Sequence, residues 1–160
     1  MVPDPRHPQV APFVSFLLSQ VGAFAAARFA ERLEALALQP SDVGILRLIA
    51  MEPGLSQQAL ADRLNVGPSR VVVLIDGLEK KGLVARVRSV RDRRIYELQL
   101  TDEGRATMGR MRDVGAAHEA DMAKALTNEE RETLATLLNK IAASHELTPN
   151  VHPGYRTARE

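Results

Sequence analysis

Cysteine and tryptophan are both absent from the 160 residues, and the aromatic set amounts to two tyrosines and four phenylalanines. Without cysteine there is no disulfide framework, no thiolate nucleophile, no thiol-based redox sensing and no cysteine-rich zinc site. A reducing compartment suits such a chain, and a cytoplasmic protein is expected. Long apolar runs are missing too: no stretch approaches the about 18 residues that a membrane-spanning helix needs. The first ten residues, MVPDPRHPQV, lack the cationic and then apolar segments of a secretory leader. Nor is there an excess of one charge, with 21 Lys and Arg against 20 Asp and Glu, a formal net charge of +1. Any affinity for a polyanion must therefore come from clustering, since phosphate neutralisation depends on local charge more than on the total.

Catalytic patterns are equally scarce. No nucleophile with a base at suitable spacing, no phosphate loop and no paired acids occur, and Asp102 with Glu103 reads as ordinary charge at a helix N-terminus. The four histidines, His7, His118, His145 and His152, have no close ligand spacing, so neither a metal nor a cofactor is expected. His118 and His145 fall on apolar stripes, where histidines buried and hydrogen-bonded at a dimer interface are the simpler reading. An enzyme is not expected.

What is present is ordinary globular composition, 45% hydrophobic and 26% charged, in a length that suits one substantial core. Four prolines within residues 1–12 mark 1–11 as an extended N-terminal arm. A first helix is expected from about 12 to 36, with Val14, Leu18, Val21, Ala25 and Phe29 on one stripe and Phe13, Leu17 and Phe24 on a second. Ser41 is a candidate N-cap for a helix turning Val43, Leu46, Ile49 and Ala50 inward until Pro53 and Gly54. Ser56 caps the next helix, with Leu55 stapled on Leu60. Asn65, Val66 and Gly67 form a turn, and Pro68 opens a helix that carries Val71, Leu74 or Ile75, and Leu78 before Gly82 ends it. The aliphatic run from Val71 to Ile75 also has strand propensity, but the proline start and glycine stop favour a helix. Residues 83–88 and 94–100 alternate as a hairpin with its tip at 89–93. Thr101 caps a long helix over Met108, Met111, Val114, His118, Met122 and Leu126. Thr127 with Glu130 makes a capping box for a last helix bearing Leu134, Leu137, Leu138 and Ile141. Residues 146–160 read as a loosely held tail.

The order helix, turn, helix, then two strands with a basic tip is that of a winged helix-turn-helix. Between Lys80 and Arg94 stand Lys80, Lys81, Arg86, Arg88, Arg91, Arg93 and Arg94 against Asp92 alone, a local +6 that leaves the remainder of the chain at −5. Such a cluster beside a recognition helix points to double-stranded DNA. The expected fold class is mainly α with a small β-hairpin wing, the winged part covering about 41–100 and flanked by helices at about 12–36 and 101–145.

Three segments, LSQQALADRLNV, LIDGLEKKGLVAR, and DRR followed by LQLTDEG, occur in this order and resemble the MarR family of bacterial transcription regulators, over nearly all of 13–145. The resemblance implies a homodimer held by its terminal helices, two winged domains on a pseudopalindromic operator, and repression relieved by a small aromatic or phenolic ligand. It also implies that Asp92 braces an arginine, best Arg94, while Arg91 or Arg93 enters the minor groove. Surplus apolar stripes on the outer helices independently call for a two-fold partner, which would place recognition helices roughly 34 Å apart.

Candidate DNA contacts follow. Pro68, Ser69, Arg70, Val72, Val73 and Asp76 fall off the apolar stripe of the recognition helix. Ser69 and Arg70 lie in its first turn, where arginine can read guanine. Many relatives carry Thr and Arg where this chain has Val72 and Val73; valines can touch thymine methyl groups or simply belong to the core. Arg86 and Arg88 suit phosphates, and Ser56 and Gln57 can donate to the DNA backbone, although capping explains Ser56 equally well. A ligand pocket can be drawn from Phe16, Gln20 and Phe24, with Arg47 as counter-charge; plain packing is the competing reading. The alternative function is a winged-helix protein-interaction module that has lost operator binding.

Overall fold

The computed structural model describes residues 13–149 and 151. The N-terminal arm and most of the tail therefore lie outside the described residues. In chain order the elements are α1 (Val14–Glu34), α2 (Pro40–Met51), α3 (Gln57–Leu64), α4 (Pro68–Lys80), β1 (Val84–Arg88), β2 (Tyr96–Leu100), α5 (Asp102–Met122) and α6 (Asn128–Ser144). Every expected element is present, and the run from Val71 to Ile75 is helical.

The core is built by α2, α3, α4 and the hairpin, closed by one end each of α1 and α5. Leu33, Ile45, Leu46, Leu60, Val71, Ile75 and Leu78 are all fully inaccessible, and Leu98 nearly so. Each such side chain contributes about 1.5–3 kcal/mol by leaving water. Their spacing in α4, at 71, 75 and 78, fixes which face of that helix points outward.

Start of α2 differs from expectation. Its N-cap is Gln39, not Ser41, because Pro40 takes the first helical position and the Gln39 backbone N–H donates to the Asp42 carboxylate at 2.9 Å. The same Asp42 accepts from Lys81 Nζ at 2.6 Å, so one carboxylate caps α2 and clamps the end of α4. Of the inward residues expected, Leu46 and Ile49 are buried and Val43 packs against the core, with Ile45 buried beside them, whereas Ala50 is exposed. Ser56 accepts from the Ala59 backbone N–H at 3.1 Å, and both Leu55 and Leu60 are buried beneath it. Asn65 ends α3 in the left-handed conformation at φ 53°, and Pro68 opens α4. Gly82, at φ 71°, supplies the turn into β1.

β1 and β2 pair antiparallel, from Val84 with Leu100 to Arg88 with Tyr96. Leu98 also donates its N–H to the Leu55 carbonyl at 2.8 Å, which ties the hairpin to the entry of α3. The LQLTDEG segment docks α5: Thr101 Oγ1 donates to the Gly82 carbonyl at 2.6 Å and accepts from the Gly104 N–H at 2.9 Å. A Cβ at Gly104 would stand 2.1 Å from the Leu83 carbonyl oxygen, so only glycine permits this approach.

Away from this core the outer helices are bare. Leu33 is the one buried residue of α1, and α6 has none among its described residues. The expected capping box of α6 is present. α5 stops at Met122, with Ala123 as its cap and Leu126 in the following turn. The His118 ring packs 5.2 Å from that of Phe29, and its Nδ1 is buried without a hydrogen-bond partner among the described residues. Within the single chain His145 is exposed at the end of α6. No helix among the described residues is long and apolar enough to cross a membrane.

Candidate nucleic-acid interface

The turn at 65–67 places α4 across the end of α3, and burial of Val71, Ile75 and Leu78 leaves Ser69, Arg70, Val72 and Val73 outward. Pro68 is exposed at the first position, where its missing N–H has no cost. Val72 is 41% and Val73 62% exposed, so neither belongs to the core.

At the wing, Ser89 is buried, and its Oγ accepts from the backbone N–H groups of Arg91 at 3.2 Å and Asp92 at 3.4 Å. That turn presents Val90 at the apex, 98% exposed. Asp92 Oδ1 accepts from the Arg94 backbone N–H at 3.0 Å and from its Nε at 3.4 Å. The expected brace therefore exists, and its shorter half is to the backbone. Arg88 lies 5.5 Å over the Tyr96 ring. Arg91 and Arg93 are exposed, with no carboxylate partner among the described residues. The tip thus carries uncompensated charge on a backbone fixed by two short side chains.

Arg86, expected to suit a phosphate, is engaged within the protein. Its guanidinium bonds Asp76 at 2.7 Å, Glu79, and the Gln57 side-chain oxygen, while its own backbone N–H donates to Glu79 at 3.1 Å. One side chain thereby links β1, α3 and α4. Gln57 joins the same cluster through its side-chain oxygen and Ser56 caps α3 through Oγ, both as acceptors, which leaves the Gln57 amide N–H groups and the Ser56 hydroxyl proton able to donate to a backbone phosphate. The link also neutralises Asp76, which is 49% exposed on the outward side of α4 and would otherwise repel a polyanion. Nothing in the sequence pairs residue 86 with 76 and 79; the junction appears only when the hairpin folds back on the helix.

Of the four candidate pocket residues, only Phe24 lines a cavity of about 420 Å³, together with Arg28, Asp121, Met122 and Lys124. Phe16 and Gln20 are exposed on α1 and Arg47 is exposed on α2. α5 runs alongside α1, so residues near 121 meet those near 24 and 28, a pairing that α1 periodicity alone cannot reveal. Lys124, hydrogen-bonded to Asp121, holds its carboxyl below the usual carboxylate range, with Arg32 on its other oxygen adding to the effect.

Comparison with known proteins adds to this geometry. The family model described as MarR family matches residues 38–95, from the approach to α2 through the wing tip. The solved transcriptional repressor CouR, bound to a 23-mer DNA duplex, superposes with a TM-score of 0.73 at 31% identity, covering 81% of this chain and 92% of that one. The chain belongs to the MarR family. Another MarR relative, the HTH-type transcriptional repressor MdtR of Bacillus subtilis, is 34% identical over 119 residues, covering 72% of this chain and 75% of its own. The Mycobacterium tuberculosis MarR-family protein Rv2887, solved with salicylic acid, superposes with a TM-score of 0.65 at 30% identity over 84% of this chain and 99% of that one. The chain is accordingly a DNA-binding transcription regulator of the MarR family with a winged helix-turn-helix. Relatives named as repressors favour that reading over the protein-interaction module.

Proposed function

We propose that the protein is a homodimeric repressor that seats α4 in the major groove of each half of a pseudopalindromic operator and the wing tip in the adjacent minor groove. The single observation that carries this reading is the pairing of free charge with a fixed frame. Arg91 and Arg93 project without carboxylate partners among the described residues, and the Arg86 cluster ties their hairpin to α4. Ser69, Arg70, Val72 and Val73 are assigned to base edges, Arg91 or Arg93 to the minor groove, and Arg88 and Arg94 to the backbone. An inserted arginine senses the negative potential of a narrow minor groove. Arg86 holds the frame, and Ser56 and Gln57, at the start of α3, keep donors for the DNA backbone.

Dimerisation is assigned to α1, α5 and α6. Phe13, Phe16, Val21, Phe24, Leu134 and Leu137 are between 45% and 71% exposed, more apolar surface than a solitary soluble protein leaves open. Release by a small aromatic carboxylate is assigned to the cavity at Phe24 and Met122, whose rim carries Arg28 and Lys124. The salicylic acid complex of Rv2887 supports that ligand class. A hydroxyl-radical footprint on a duplex selected from a randomised library tests the reading. Two protected half-sites related by a dyad and about one helical turn apart are expected. A single protected half-site at saturation would contradict the dimeric mode.

A further inference from the structure

We propose that Val72 and Val73 read thymine methyl groups, which makes the second turn of α4 a methyl-sensing surface and biases each half-site toward thymine. The inference rests on the operator-binding reading above and adds what the middle of the helix recognises.

The outward face of α4 is set by the burial of Val71, Ile75 and Leu78 on the other side. Ser69 and Val73, four residues apart, share its centre, with Arg70 and Val72 to either side. Beyond Arg70 the next outward polar group is Asp76, and its carboxylate is held by Arg86 at 2.7 Å. Gly77 offers no side chain. Hydrogen-bond reading of bases is therefore confined to the first turn, and the second turn presents only the branched methyls of Val72 and Val73, 41% and 62% exposed.

Two adjacent exposed valines are a poor choice for helix stability alone, since β-branched residues lose side-chain freedom there and rank below alanine. Arg70 next to the pair is exposed, as are the wing arginines Arg91 and Arg93, and their charge complements a polyanion. The apolar feature on the floor of the major groove is the thymine C5 methyl, and none of the other three standard bases carries one. Val73 lies about 6 Å along the helix axis from Ser69, so the two reach different base pairs.

Deoxyuridine isolates this contact, because it keeps every donor and acceptor of thymidine and lacks only the methyl. The experiment starts from a duplex selected by the protein from a randomised library. Each thymine of a half-site is replaced in turn by deoxyuridine, and then by 5-bromodeoxyuridine, whose bromine fills the methyl volume. For at least one position the wild-type protein is expected to lose about fourfold in affinity, the effect of one methyl leaving an apolar contact. Bromine is expected to restore it. A Val72→Ala/Val73→Ala variant, which gains helix propensity and so keeps its fold, is expected to bind the parent duplex more weakly and to ignore that replacement. Wild-type protein that prefers its selected duplex over scrambled DNA yet binds the fully deoxyuridine-substituted form equally well overturns the methyl reading and leaves operator binding intact. Undiminished deoxyuridine sensitivity in the double variant also overturns it. Equal affinity for selected and scrambled duplexes overturns the operator reading, and this inference with it.

Discussion

Arg86 illustrates how a charged residue changes meaning once its neighbours are known. In the sequence it is one of seven cations in a basic segment; in the fold its one positive charge is shared between the carboxylates of Asp76 and Glu79, and it grips Gln57. Arg86→Met should weaken binding to all duplexes alike, because an exposed negative charge reappears on α4. The double variant Arg86→Met/Asp76→Asn should recover part of that loss, measured as affinity on operator and scrambled DNA. A direct phosphate contact by Arg86 predicts no recovery. Gly104 is the second such position, legible as part of LQLTDEG but not explicable from it. Gly104→Ala drives a methyl into the Leu83 carbonyl and should destabilise the fold by about 1–3 kcal/mol or more, read from urea unfolding. An unchanged urea midpoint would contradict the tight docking of α5 on β1. The misplaced cap of α2 has a simpler cause: Ser41 has higher N-cap preference than Gln39, but Pro40 fits the first helical position, and Asp42 then supplies the capping carboxylate.

At the level of elements, helices and hairpin were legible because their signals are local. Pro68 and Gly82 bracket α4, Thr127 and Glu130 open α6, and alternation marks the strands. Legibility failed where an element's role depends on a distant one. Phe16, Gln20 and Phe24 share a face of α1, but the cavity forms only where α5 brings Asp121 and Met122 beside Phe24. The wing is intermediate: Asp92 was assigned to Arg94 by resemblance, and the geometry adds that the backbone amide of Arg94 is its nearer donor. That detail fixes the sign of a test. Asp92→Ala removes a negative charge beside the proposed DNA surface, so simple electrostatics predicts tighter binding. If Asp92 instead shapes the tip, affinity should fall on every duplex because Arg91 and Arg93 lose their aim. Tighter binding by Asp92→Ala in a direct titration would show that the brace has no positioning role.

Across the whole molecule, charge is segregated rather than abundant. The segment from Lys80 to Arg94 holds +6 while the rest of the chain holds −5; the fold pairs Lys81 with Asp42 and Arg86 with Asp76 and Glu79, so the exposed wing-tip arginines carry the positive charge that the proposed reading turns toward DNA. Much of the exposed apolar surface lies on α1 and α6, and among the described residues α6 has none buried, while Val72, Val73 and Val90 are exposed on α4 and the wing. Composition could show both quantities, and only the fold shows where each lies. The central claim is that specificity resides in α4 and nonspecific affinity in the wing. Its most direct measurement is binding of wild type, Arg70→Ala and Arg93→Ala to operator and scrambled duplexes across a salt series. Arg93→Ala should weaken both duplexes and lower the salt slope by about one unit, whereas Arg70→Ala should cost on the order of 1–3 kcal/mol on the operator alone. Equal losses on both duplexes for Arg70→Ala, or unchanged binding for both variants, would contradict this division of labour.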